Sequence, residues 1–343
     1  MTSGWPLQRP RQAKKSLFLS RRRILVKIVD FHTHLLDEGH WPNEWWDYVA
    51  RQWASEAPGR SPEQVRGKIE AGLIDPDGSR MIADMDLAGV EQAVILPIDW
   101  GPDFHSNKSI DEVVAHAVQC QEKYPGRLIA FGGIDPRRPG APDKVNEWLS
   151  SGKIHGLKMY PNCGWLPASA EAMAVYEVCL AHDAPILFHT GHPLPLLDES
   201  WSRLDNFLEV AKTFPNLKAV LGHAGAPCEF ENALKVASQS NAATLELSVC
   251  LWDDHNEEAE AQLAVRIAKA CQVIGSERIL FGTDHVSGRR IRGAGFLKII
   301  VDKFLRMQDT ARAAGVVISD SDMENIMGLS ALKQLRAQPA TSK

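Results

Sequence analysis

The 343-residue chain is poor in the signatures of several common chemistries. Its six cysteines include no C-x-x-C pair and no secretory leader is recognisable, so reduced thiols in a cytoplasmic protein are the expectation. No apolar run approaches the roughly 18 residues that span a bilayer, which excludes a helical membrane protein. Neither a G-x-G-x-x-G sequence after the first strand nor a Walker A sequence occurs, so nucleotide binding has no support. Without a G-x-S-x-G sequence there is also no elbow for a serine nucleophile.

What remains is a globular composition, 44% hydrophobic and 24% charged, on a length that suits one large α/β barrel or two ordinary domains. The net charge of −5 is unevenly spread. Residues 1–27 hold eight Lys/Arg and no acid, leaving the other 316 residues with 30 basic against 43 acidic side chains, net −13. A basic arm can touch nucleic acid or membrane. This one lacks interleaved aromatics, so it reads as a disordered extension with neither partner.

Short β-type runs recur at residues 25–31, 93–98, 128–134, 156–160, 186–189, 219–223, 244–249 and 278–283. Helix candidates such as 112–123, 170–182, 204–214 and 259–274 lie between them. Eight strands alternating with helices predict an α/β fold, a (β/α)8 TIM barrel, over residues 28–336, followed by a frayed tail at 337–343. One connection, residues 34–78, is far longer than the usual two to six residues and carries Trp41, Trp45, Trp46 and Trp53. It reads as a lid-like insertion beside a substrate pocket.

The chemistry starts at the end of the first strand, in Asp30-Phe31-His32-Thr33-His34. Alternate strand residues face one side, about 7 Å apart along the backbone, so His32 and His34 can converge on one metal ion. Metal-compatible side chains close later strands as well: Lys158 on the fourth, His189 on the fifth, His223 on the sixth and Asp284 after the eighth. All fall where barrel enzymes carry catalytic groups, at strand C-terminal ends.

On these landmarks (VDFHTH, GLKMYPN, ILFHTG, FPNLKAVLGHAG, RILFGTDH and the closing ISDSDMENIMGLSALKQL) the sequence resembles the amidohydrolase superfamily. It is most similar to the branch that holds metal-dependent hydrolases and non-oxidative decarboxylases of the aminocarboxymuconate-semialdehyde type. The last landmark departs from the family pattern, with Gly328-Leu329-Ser330 in place of Gly-Asn-Ala, a change that concerns helix packing. The resemblance implies His32, His34, His189 and Asp284 as ligands of a divalent metal, zinc first, with iron or manganese as alternatives and one or two ions. It implies His223 as a ligand to a second ion or as the group that polarises the substrate. Three neutral nitrogens and a carboxylate leave a position for water, whose pKa falls to about 7 on zinc, and Asp284 would take the proton as metal-bound hydroxide attacks a carbonyl. In binuclear members a lysine placed like Lys158, often carbamylated, bridges two metals; here it either does so or pairs with substrate or with Glu246.

Trp100, Trp165 and Trp252 follow strands and, with Trp45 of the long loop, either build an aromatic wall for a bulky hydrophobic small molecule or form the core of the insertion. Arg289 and Arg290, with Arg292, either hold an anionic handle of that substrate or form a solvated loop. His285 reads as a supporting neighbour of the metal site, and Cys163 as a buried small hydrophobe. A homodimer is compatible with the sequence. Hydrolysis is the leading activity. Non-oxidative decarboxylation of an aromatic or muconate-like acid, an iron-dependent (including diiron) oxygenase on the same ligands, and an inactive binding barrel are the alternatives.

Overall fold

The computed structural model describes residues 27–56, 59–251, 256–286 and 295–335. Residues 1–26 of the basic extension and the tail at 337–343 lie outside them, as do Trp252, Arg289 and Arg290. Ten short strands form the sheet: β1 (Ile28–His34), β2 (Val90–Ile95), β3 (Leu128–Ala130), β4 (Gly132–Gly133), β5 (Leu157–Met159), β6 (Ile186–His189), β7 (Ala219–Gly222), β8 (Thr244–Glu246), β9 (Ile279–Leu280) and β10 (His285–Val286). Every pairing is parallel, in the orders β10-β1-β2-β3 and β4-β5-β6-β7-β8-β9.

These two sheets are one closed ring. β3 and β4 are halves of a single stretch, where Phe131 N–H donates to the Ile95 carbonyl (3.1 Å) and Gly132 N–H to that of Gly156 (2.9 Å) on the opposite side. β9 and β10 likewise share a stretch: Ile279–Leu280 pairs with β8, and His285–Val286 pairs with β1. Phe31 N–H to Phe281 O (3.0 Å) and Asp284 N–H to His32 O (2.8 Å) close the seam. The expected (β/α)8 barrel is present, with its third and eighth strands each broken in two.

The connecting helices form where apolar residues recur at helical spacing. In Ile110–Lys123 the buried positions are Ile110, Val113, Val114, Ala117 and Cys120, and a Ser109/Glu112 capping box satisfies the first turn. Such faces cover the outer side of the sheet. Inside it, Val29, Phe31, Val94, Leu96, Phe131, Leu187, Val220 and Leu280 pack as a separate buried cluster joined by Ala331 of the last helix. The long first connection contains two helices, Asn43–Glu56 and Pro62–Leu73, which pack Leu36, Trp41, Trp46, Val65, Ile69 and Leu73 in a third cluster shared with Ile98, Trp100 and Tyr160 of the barrel. No helix among the described residues is long and apolar enough to cross a membrane.

One irregularity places the site. Val29 and Phe31 belong to the interior cluster, so simple alternation would turn His32 and His34 away from it. The β1–β2 register shifts between Asp30 and Thr33. This bulge resets the alternation, and both histidines reach the barrel mouth directly above Phe31. Asp30 holds the kinked segment against the eighth strand, accepting from His32 N–H (3.1 Å), Thr283 N–H (3.0 Å) and Thr283 Oγ1 (2.5 Å), all buried. Asp30→Ala removes the acceptor these donors share and is expected to cost about 3 kcal/mol or more. Urea unfolding measures it; an unchanged midpoint would contradict the role given to Asp30.

Candidate metal centre

His34 directs Nδ1 at the Leu96 carbonyl, 2.8 Å away. A carbonyl only accepts, so Nδ1 carries the proton and Nε2 offers a lone pair. His32 does the same toward a carboxylate, with Nδ1 2.8 Å from Glu246 Oε2. Both Nε2 atoms then face Asp284 Oδ1, at 3.4 Å from His32 and 3.0 Å from His34. Asp284 is brought there by a left-handed backbone (φ 55°) between β9 and β10, and three further non-glycine residues shortly after neighbouring strands are left-handed, His223 (φ 64°), Ala224 (φ 45°) and Val249 (φ 66°). Strain of this kind persists where the surroundings over-determine it, commonly at functional sites.

Glu246, fully buried on β8, organises the floor of the site. Its Oε2 accepts from His32 Nδ1, from the His223 backbone N–H (3.1 Å) and from Ser248 Oγ (2.8 Å), while Oε1 accepts the Ser248 N–H (2.6 Å). Having spent its proton on Glu246, the Ser248 hydroxyl accepts from His223 Nδ1 (2.8 Å). His223 Nε2 is thereby an acceptor and takes the proton of His189 Nδ1 (3.1 Å). The chain ends on His189 Nε2, which is buried and has no partner. One carboxylate therefore sets the tautomers of three imidazoles, directly for His32 and through Ser248 for His223 and His189. It is held against close backbone: a Cβ on Gly282 would run into Glu246 Oε1 and stand 2.9 Å from the His32 Cβ.

Burial and neighbouring charge shift several groups of the floor. Burial drives His32 and His189 well below the usual histidine range, and His223 down to about 3, reinforced for His32 by Lys158 and for His223 by His32. Burial alone would raise the Asp284 carboxyl, but His32 and His34 outweigh it and hold the group well below the usual carboxylate range. Lys158, also buried, is pulled down to about 8 by desolvation, with Nζ 3.4 Å from His32 Nε2. Among the described residues it forms no ion pair with Glu246, whose oxygens are already occupied.

This donor set fits a divalent cation. His32 Nε2, His34 Nε2 and Asp284 Oδ1 are acceptors crowded within 4.8 Å of one another, a repulsive arrangement that a cation relieves. His189 Nε2, which has no partner, adds a fourth acceptor in the same cavity, although it stands outside that tight group, its ring turned to His223. A second grouping, His32, His223 and Glu246, is also compact. Its atoms bond to one another through protons and Ser248, which leaves no room for an ion.

Above this floor lies a cavity of about 450 Å3 walled by Trp41, Trp45, Trp53, Leu73, Trp100 and Tyr160, among others. The size is that of sites for small organic molecules. The insertion's tryptophans serve both readings at once: Trp41 and Trp45 face the cavity, whereas Trp46 packs in the lid core. Trp165 is a correction. The chain turns at Gly164 (φ 112°) and sends that ring into the main hydrophobic core outside the sheet, away from the cavity. His285 lines the cavity and pairs with Asp84 (3.2 Å). Trp252, Arg289 and Arg290 cannot be placed, being outside the described residues. Ser248 and Tyr160 were missed from sequence. A signal for the first existed: Thr244, Glu246 and Ser248 alternate as polar residues in an otherwise apolar strand, which aims them together into the barrel.

A closed parallel barrel with histidine and aspartate acceptors converging at its strand C-termini defines the class, and the chain belongs to the amidohydrolase family, whose model matches residues 29–336. Solved structures share the fold at low identity. An amidohydrolase from Burkholderia multivorans with bound zinc is 13% identical, with 91% of this chain and 100% of that one covered at a TM-score of 0.61. The 5-carboxyvanillate decarboxylase of Novosphingobium aromaticivorans, complexed with manganese and 4-hydroxy-3-methoxy-5-nitrobenzoic acid, is 14% identical over 91% and 96% of the two chains, TM-score 0.57. A probable 2-pyrone-4,6-dicarboxylic acid hydrolase from Acinetobacter baumannii with citric acid bound is 10% identical over 90% and 99%, TM-score 0.55. No curated protein matches the chain at a significant level.

Glu246→Gln removes the acceptor that fixes the His32 tautomer while nearly preserving shape. It is expected to weaken zinc binding about 10- to 100-fold in chelator competition, with an unchanged circular dichroism spectrum. Undiminished affinity would contradict the tautomer argument.

Proposed function

We propose that this protein is a metal-dependent hydrolase acting on a bulky hydrophobic small molecule. The observation that carries the reading is the convergence of His32 Nε2, His34 Nε2 and Asp284 Oδ1 at the floor of an apolar cavity. Together with His189 they would hold one divalent ion, zinc first and manganese or iron next. Lys158 reaches His32 rather than a second ligand group, and the other compact grouping is internally bonded, so the geometry supports a single ion. When bound, such an ion supplies Lewis acidity and lowers the pKa of water.

The chain's own groups do the rest. Asp284 Oδ2 makes no hydrogen bond among the described residues and is free to take a proton from an attacking water. His223, with its Nδ1 proton directed at Ser248 and its Nε2 accepting from His189, holds the His189 ring and ties it through Ser248 to Glu246. The aromatic wall binds the apolar body and excludes bulk water, which strengthens each interaction at the floor. Decarboxylation is the second reading, favoured by the same apolar wall: a carboxylate desolvated there is destabilised relative to neutral carbon dioxide.

Purified protein is expected to carry about one divalent ion per chain by mass spectrometry, and His32→Ala or Asp284→Ala to lose it together with turnover while remaining folded. Hydrophobic esters and lactones assayed in 18O-labelled water should yield labelled acid. Carbon dioxide release without label would replace hydrolysis by decarboxylation, and turnover that requires dioxygen would contradict both.

A further inference from the structure

Tyr160 follows β5 two residues after Lys158 and shares its face of the strand. Its ring is wedged at the edge of the site: 4.3 Å from the His189 ring, 5.7 Å from that of Trp100, and beneath Lys158 Nζ at 5.9 Å. The side chain is therefore held in one place by the floor on one side and the aromatic wall on the other. Its hydroxyl is the only one among the described cavity-lining residues, and it makes no hydrogen bond to any described residue. Nor is it sealed away with the buried polar atoms that lack partners, so it opens onto the cavity. Tyr176 shows the ordinary outcome, its buried hydroxyl donating to the Pro167 carbonyl at 2.9 Å. The two histidines of the wall are already engaged, His192 with Glu199 at 2.6 Å and His285 with Asp84 at 3.2 Å.

We propose that Tyr160 donates a hydrogen bond to an oxygen of the substrate's reacting head, so that the ligand this cavity selects is an apolar body carrying an acyl or carboxyl oxygen beside the metal floor. The inference rests on the metal-centre reading above. It goes further in assigning a specificity determinant, because an apolar molecule of equal size but without that oxygen leaves the hydroxyl unpaired.

The test uses zinc-loaded full-length protein, Tyr160→Phe beside wild type, with two probes followed by calorimetry: benzohydroxamate, which carries the oxygens, and toluene, which does not. Phenylalanine keeps the ring contacts. Benzohydroxamate should bind the variant about 3- to 10-fold more weakly while toluene binds both proteins within about twofold. Equal benzohydroxamate affinities, equal weakening of both probes, or no benzohydroxamate binding to fully zinc-loaded wild type would each overturn the assignment of Tyr160 alone. Wild-type protein that takes up no zinc would overturn the metal reading and this inference with it, and zinc measured on the same samples separates the two.

Discussion

The site depends on one buried carboxylate. Glu246 has no solvent to share its charge with, and four donors meet its two oxygens. A buried network that is fully satisfied is rigid, and one with a member removed leaves several polar groups stranded at once. The donors come from three elements: His32 on β1, His223 after β7, and Ser248 beyond β8, which supplies two of the four. The carboxylate thus fixes which nitrogen of each imidazole carries the proton, leaving Nε2 of His32 and of His189 as acceptors at the cavity floor while Nε2 of His223 accepts from His189. The absence of a side chain at Gly282 is what lets Glu246 sit so close to β1.

A second constraint joins the floor to its cover. The insertion after β1 packs with Ile98, Trp100 and Tyr160 in a cluster distinct from those inside and outside the sheet, and Trp41 reaches down to within 6.1 Å of the His34 ring. Trp41 also touches Trp100, which touches Tyr160, whose ring meets His189. An unbroken arc of rings consequently runs from one imidazole of the floor to another through the lid. Wall and floor are mutually braced, and a ligand that fills the cavity is in contact with both.

Much of this was legible in the sequence. Alternating strand-like and helical segments announce the barrel, and H-x-H, FHTG, GHAG and FGTD name the residues at its mouth, because position at a strand end determines which side chains reach a shared cavity. What was not legible arises from local departures from regular geometry. The bulge in β1 is invisible in IVDFHTH, and without it Phe31 and His32 could not both serve the interior. Breaks in the third and eighth strands, and the left-handed residues at His223, Val249 and Asp284, likewise belong to tertiary strain. Proton polarity along His189, His223, Ser248 and Glu246 exists only once distances are known. Trp165 illustrates the converse, since a residue shortly after a strand end was expected at the cavity and a single glycine turn sends it elsewhere.

The central claim is that lone pairs on His32, His34 and Asp284 converge on one position meant for a cation, with His189 beside them as the fourth ligand. Anomalous diffraction at the zinc absorption edge, from crystals of metal-loaded protein, tests this most directly. The account predicts one strong peak with His32 Nε2, His34 Nε2, His189 Nε2 and an Asp284 oxygen about 2.0–2.2 Å away, reached by a modest turn of His189 from its present partner. A peak bound by other residues, or none at full zinc loading, would contradict it.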